Sequence, residues 1–184
     1  MTGHGSDGSE TLMAAAQHPA HLAAIVPVSP FTDIYHVLGK GGAKFAGSTE
    51  GALNATFLDP ATFGPTPPGN VTDPRFARAK DMACIATANA NADEPTGQYS
   101  AWMKERDLRG LAANASVPML FAHGLVDQTA KPDHIDPFLN AYAGPKFALL
   151  WQGNHILPNP NATGLNRDIW WTSVIRWFDH HLYG

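Results

Sequence analysis

"GHGSDGSETLMAAAQHP", residues 3–19, decides how this chain is read. Glycines crowd a serine, and a helix-like run follows at once. Ser9 opens that run, apolar residues fill its middle, and His18-Pro19 stop it. A strand-turn-helix junction of this kind is how a G-x-S-x-G turn presents a nucleophilic serine. Two registers compete. Centring on Ser6 gives His4-Gly5-Ser6-Asp7-Gly8, with histidine at the first glycine position. Starting from Gly3 gives Gly3-His4-Gly5-Ser6-Asp7, which puts Gly5 at the nucleophile position.

Outward from the turn, "LAAIVPVSP" (22–30) is a compact apolar run that reads as a buried strand. Helix then buried strand, with a three-residue link, is the rhythm of a parallel α/β sheet. The rhythm lapses from Phe31 to about Asp107, where "GKGGAKFAG", "GPTPPGN" and "NANADEPTG" are rich in turn formers. Between them, helices are expected at Thr49–Leu58, Asp73–Ala90 and Ser100–Asp107. Residues 31–107 read as a mostly helical lid or insertion within one domain spanning 1–184; a loosely packed surface excursion is the other reading.

The rhythm returns with the strand "VPMLFAHG" (117–124) and then "PDHIDPFLNAYAG" (132–144), whose apolar residues recur at helical spacing. Pro137 inside that segment predicts a kink or a late helix start. "KFALLWQ" (146–152) is the next strand. In the final segment Trp170, Val174, Trp177, Phe178 and His181 share one helical face, which must cover a large apolar surface.

Composition narrows the function classes. With 184 residues, 44% hydrophobic and 15% charged, the chain fits one globular domain. A net charge of −4 makes no electrostatic case for nucleic acid or an anionic membrane. The one cysteine, Cys84, excludes an internal disulfide. No stretch has the length or flanks of a membrane span or signal peptide, so the compartment stays open with the cytoplasm as default. No His/Cys cluster has metal spacing and no Gly-rich loop carries a P-loop Lys-Ser/Thr, so neither metal nor cofactor is expected. The four Asn-x-Ser/Thr sequons read as chance.

Ligands of an open parallel sheet gather at the carboxyl ends of its strands. Here those ends carry Ser6 in the opening turn, Asp127 after "MLFAHG" and His155 after "FALLWQ". The order Ser, Asp, His is that of the α/β-hydrolase triad. A serine hydroxyl needs an adjacent base; His155 would take its proton and Asp127 would orient the imidazole. The residue after the nucleophile, Asp7 in the Ser6 register, would supply one oxyanion amide. Against these stand plainer roles: Asp127 as a helix cap, His155 as a loop residue, His123 as a structural group near the sheet end.

"GHGSDGSETLMAAAQHPAHLAAIVPVSPFTDIY" resembles the nucleophile-elbow region of the X-prolyl dipeptidyl-peptidase group of α/β-hydrolases, related to the cocaine-esterase-like acylases. The segment from Thr96 to His155, with Trp102, Arg106-Asp107 and HGL-x-D-x-x-x-K-P, is similar to that family's aspartate-to-histidine region. The resemblance implies a serine hydrolase of ester or peptide bonds, X-prolyl ones included, with Asp127 and His155 at triad positions. The family's elbow runs G-x-S-Y-x-G, which laid on residues 3–8 puts Gly5 in the serine position and Ser6 in the tyrosine position. It also implies that the strand feeding the elbow lies before residue 1. The expected fold is therefore a partial, N-terminally truncated α/β-hydrolase sheet of about three parallel strands with flanking helices and a lid. The chain would be either a C-terminal portion or a natural minimal form, self-associating to cover the open sheet face. Tyr35, Trp102 and Trp151 are candidates for an apolar substrate pocket, with core packing as the alternative for each. The alternative to a small-molecule ester or peptide hydrolase is a non-catalytic module that binds a partner or small molecule.

Overall fold

The computed structural model describes residues 1–44, 98–158 and 167–183. They fall in two compact units, Met1–Val37 with Arg106–Gly184, and Leu38–Glu105. In the first unit β1 (Thr2–His4) leads into α1 (Ser6–Ala16), then β2 (Val26–Val28) and α2 (Ile34–Leu38), which runs to the unit boundary. The Leu38–Glu105 unit contributes the short antiparallel pair β3 (Gly39–Lys40) and β4 (Ala43–Lys44) and the turn of helix α3 (Ala101–Lys104). The Ser100 hydroxyl caps α3 by accepting from the Met103 amide at 3.2 Å. The helices expected at Thr49–Leu58 and Asp73–Ala90 lie outside the described residues, as does Cys84.

The first unit continues through α4 (Arg109–Ala112), β5 (Met119–Gly124), a 3-10 turn (Pro132–His134), α5 (Ile135–Ala141), β6 (Lys146–Trp151) and α6 (Arg167–Tyr183). Its sheet is parallel and four-stranded, in the order β1-β2-β5-β6. All six residues of β5 are buried, which explains its continuous apolar reading. Alternation sorts them. Met119 and Phe121 join Ile25, Leu12, Ala112, Phe138 and Tyr142 under α1, α4 and α5. Leu120 and Ala122 join Val26, Val28, Trp151, Trp170 and Val174 under α6. The result is a sheet with helices on both faces, the arrangement a parallel sheet requires.

The strand feeding the opening turn is within the chain, against the expectation that it lies before residue 1. β1 pairs Thr2 with Val26, Gly3 with Pro27 and His4 with Val28. "TGH" offers no apolar alternation, and backbone pairing holds it instead. The Met1 ammonium donates to the Ala24 carbonyl at 2.9 Å and the Thr2 hydroxyl to the Val26 carbonyl at 2.8 Å. Pro27 sits in the middle of a central strand, where it cannot donate to the ladder; beside it β2 and β5 register through Val28 and Ala122 alone. Pro137 falls in the first turn of α5, where its missing N–H costs no helical bond, so the helix starts late and unbroken.

β6 and α6 also present apolar groups outward. Phe147 is 69% exposed, and Trp171 and Ile175 are more than half exposed. Among the described residues no helix is long and apolar enough to cross a membrane.

His134 lies buried behind β5, with its ring edge-on to that of His123 at 6.1 Å. Burial, and then the nearby His123, lower its pKa from the ordinary 6.5 to about 4. Between those values the unfolded chain holds a proton here that the folded chain lacks, so stability falls as pH falls from 6.5 towards 4. The full effect is about 3 kcal/mol. In urea titrations His134→Leu is expected to flatten the loss of stability between pH 7 and pH 4 relative to wild type.

Candidate active site

The opening turn is centred on Gly5. Its backbone sits at φ 61°, ψ −119°, a left-handed conformation that side-chain-bearing residues adopt only under strain. Its N–H continues the sheet by donating to the Val28 carbonyl at 2.9 Å, and its carbonyl accepts from the Ser9 amide at 3.0 Å as the first bond of α1. The flanking glycines agree with that register. A β-carbon at Gly3 would collide with the Asp7 carbonyl, and one at Gly8 would stand 2.9 Å from the Val28 carbonyl oxygen. Ser6 is the first residue of α1 and is exposed, as is Asp7. With Gly5 at the turn, the amide that follows it belongs to Ser6 rather than to Asp7.

Two further strand ends meet this turn. Asp127 follows β5 and is 3% exposed. Its Oδ1 accepts from the Thr129 and Ala130 amides, each at 2.8 Å, and its Oδ2 accepts from His155 Nδ1 at 2.7 Å. Burial alone would raise this carboxyl. The hydrogen bond and charge of His155, with the Thr129 amide, outweigh burial and hold its pKa below the ordinary carboxylate value. An ionised carboxylate can only accept, so the Nδ1 proton stays on His155, and in the neutral ring the lone pair is on Nε2.

That lone pair faces Gly5. A β-carbon built on Gly5 would lie 3.0 Å from His155 Nε2, and among the described residues, the adjoining His4 and Ser6 aside, only Nε2 and Cε1 of that ring come within 4 Å of it. The imidazole packs against the His4 ring at 4.7 Å and the Phe31 ring at 5.6 Å. Phe31 is fixed in turn by Ser9, whose hydroxyl accepts from the Phe31 amide and donates to its carbonyl, both at 2.8 Å. Burial is the main cause lowering the His4 pKa, with His155 adding to it.

The loops bearing Asp127 and His155 are fastened to each other. Asn154 Oδ1 accepts from the His155 amide at 2.8 Å and the Gln128 amide at 3.1 Å. The Leu125 amide donates to the Trp151 carbonyl at 2.7 Å and the Val126 amide to the Gly153 carbonyl at 3.1 Å. Behind them His123 Nε2 meets the Ala130 carbonyl at 2.7 Å and stands 3.7 Å from Asp127 Oδ2. Sequence patterns gave no signal for the roles of His4, Ser9, Phe31 or Asn154, because each acts through contacts that only the folded chain brings together. Gly124 leaves no room for a side chain between the two loops: a β-carbon there would overlap the Gly153 carbonyl and lie 2.7 Å from the Asn154 carbonyl oxygen. Gly124→Ala should cost about 1–3 kcal/mol as overpacking. It should also part the Asp127–His155 bond, read as loss of the downfield His155 Nδ1–H resonance.

The pocket candidates separate. Trp151 is 2% exposed and packs with Val28, Trp170 and Val174, so it is a core residue and not a pocket wall. The reason is its place as the last residue of β6, on the face that α6 covers. Tyr35 is half-buried on α2, its ring edge-on to His36 at 5.5 Å. His36 and Arg109 converge on the buried Asp33 at 2.6 and 2.7 Å, tying the segment after β2 to α4. Trp102 is half-buried on α3 in the Leu38–Glu105 unit. Among the described residues no group of His, Cys, Asp and Glu side chains could hold a metal ion.

A parallel sheet with this turn, an aspartate and a histidine at successive strand ends defines the α/β-hydrolase class. Within that class the chain belongs to the X-Pro dipeptidyl-peptidase (S15) family, whose model matches residues 1–157. It is 31% identical over 103 residues to a Xaa-Pro dipeptidyl-peptidase of Lacticaseibacillus rhamnosus, covering 54% of this chain and 12% of that protein. Acetyl xylan esterase 1 from Thermoanaerobacterium sp. JW/SL YS485 shares the fold at TM-score 0.55 and 19% identity, over 100% of this chain and 45% of the esterase. The acylaminoacyl peptidase of Pyrococcus horikoshii does so at TM-score 0.54 and 13% identity, over 97% and 23%. The chain thus spans less than half the length of each of these relatives. Family and neighbours are hydrolases, peptidases and esterases.

Proposed function

We propose that this chain binds an acyl or peptidyl carbonyl compound over the His155–Asp127 dyad and forms no serine-linked acyl-enzyme, because Gly5 holds the nucleophile position. The observation that carries this reading is the 3.0 Å separation between the Gly5 β-carbon position and His155 Nε2. In a working triad that space holds the serine side chain, whose proton the imidazole takes. Ser6 comes one residue later, as the exposed first residue of α1, so its side chain leaves the turn in another direction. The family supplies the ligand class, X-prolyl peptides and simple acyl esters. The retained dyad supports the second reading, ester or peptide cleavage with Ser6 as nucleophile.

Gly-Pro-p-nitroanilide distinguishes the two. Incubated with the wild-type chain, it should release no p-nitroaniline, yet it should slow the modification of His155 by diethyl pyrocarbonate. Turnover of the peptide that Ser6→Ala abolishes would overturn the proposal in favour of the second reading.

A further inference from the structure

With no side chain at Gly5, the nucleophile nearest an incoming carbonyl is the imidazole itself. We infer that His155 Nε2 attacks activated aryl esters directly, giving the chain a histidine-nucleophile esterase activity; this rests on Gly5 holding the nucleophile position. Three observations carry it. Asp127 fixes the Nδ1 proton at 2.7 Å, which leaves the Nε2 lone pair free for attack. The Gly5 β-carbon position lies 3.0 Å from Nε2, and among the described residues, the adjoining His4 and Ser6 aside, only that ring comes within 4 Å of it. The His4 and Phe31 rings pack against the imidazole, and the His155 side chain still keeps 20% of its surface exposed to an incoming ester.

The chemistry balances without a co-reactant other than water. Nε2 forms a bond to the ester carbon, and the bond to the aryl oxygen breaks with its electron pair leaving as aryloxide. The acyl-imidazolium left on His155 is positive, and the buried Asp127 carboxylate at Nδ1–H offsets that charge, as it would the imidazolium of a serine triad. Water then adds to the acyl carbon and the C–N pair returns to Nε2. The acid leaves as carboxylate, and the protons pass to solvent. Histidine is an established covalent nucleophile, and attack from contact distance needs no rearrangement of the ring. An acyl-imidazole is itself an activated acyl group, so it forms only when the leaving group departs as readily as imidazole. The substrate class is therefore esters of electron-poor phenols. Alkyl esters and peptides fall outside it.

The test uses p-nitrophenyl trimethylacetate, whose hindered acyl group should leave His155 slowly enough to accumulate. Stopped-flow traces should show a burst of p-nitrophenolate with the ultraviolet absorption of an N-acylimidazole. Peptide mass spectrometry should place the acyl mass on His155. The burst should show no solvent deuterium isotope effect, and His155→Gln should lose both burst and adduct. A His155-dependent release with a clear isotope effect and no adduct would overturn the inference while leaving Gly5 in place, since the dyad would then be activating water. An acyl group on Ser6 would overturn both. Release that survives His155→Gln unchanged would overturn the inference alone.

Discussion

The Gly5→Ser variant should hydrolyse p-nitrophenyl butyrate at least about 10³-fold faster than the wild-type chain. Loss of a triad serine costs about 10⁶ in a well-studied protease, and a restored one working beside an untouched dyad should recover a large part of that factor. The geometry is already set for it. Asp127 and His155 are bonded at 2.7 Å, and the new β-carbon would sit 3.0 Å from Nε2, so the ring must yield by a few tenths of an ångström. The same variant should be less stable by roughly 1–3 kcal/mol, because a side chain at φ 61° is strained. Gain of rate with loss of stability is the signature, read from initial rates and urea midpoints on one preparation. A nucleophile position elsewhere predicts the strain without the gain.

Trp151→Ala should destabilise the chain by about 3–5 kcal/mol, the range for truncating a large buried aromatic. Trp151 ends β6 and lies between the sheet and α6, in the cluster with Val26, Leu120, Ala122 and Trp170. Its indole also lies so close to Gly153 that no β-carbon would fit there. Its Nε1 has no hydrogen-bond partner among the described residues, so truncation strands no polar group and the loss is one of packing. The effect reaches the site through the backbone, since the Trp151 carbonyl accepts from Leu125 and His155 follows four residues later. Urea unfolding checks it, and a loss under about 1 kcal/mol would mean that the indole is a pocket wall after all.

What could be read from the sequence follows from which interactions are local. β5 and β6 announce themselves as short apolar runs, the helix after the opening turn by its start and stop residues, and α6 by an apolar face that repeats at helical pitch. Asp127 and His155 could be placed for a related reason: strand ends in a parallel sheet are where side chains converge, and both strands were visible. β1 could not be seen, because three residues held by backbone pairing and two end contacts leave no pattern. Trp151 misled because an aromatic at a strand end reads the same whether it faces core or crevice. The register of the turn was undecidable from GHGSDG alone. A positive φ at Gly5 and the lack of room at Gly3 are properties of the folded backbone, and they support the proposed Gly5 register where residue types do not choose.

The position of the nucleophile is tested most directly by a fluorophosphonate probe, which phosphonylates a serine only when that serine is activated by a triad base. The wild-type chain should remain unlabelled under conditions in which the Gly5→Ser variant is labelled stoichiometrically at position 5. Stoichiometric labelling of wild type at Ser6, abolished by His155→Ala, would contradict the account.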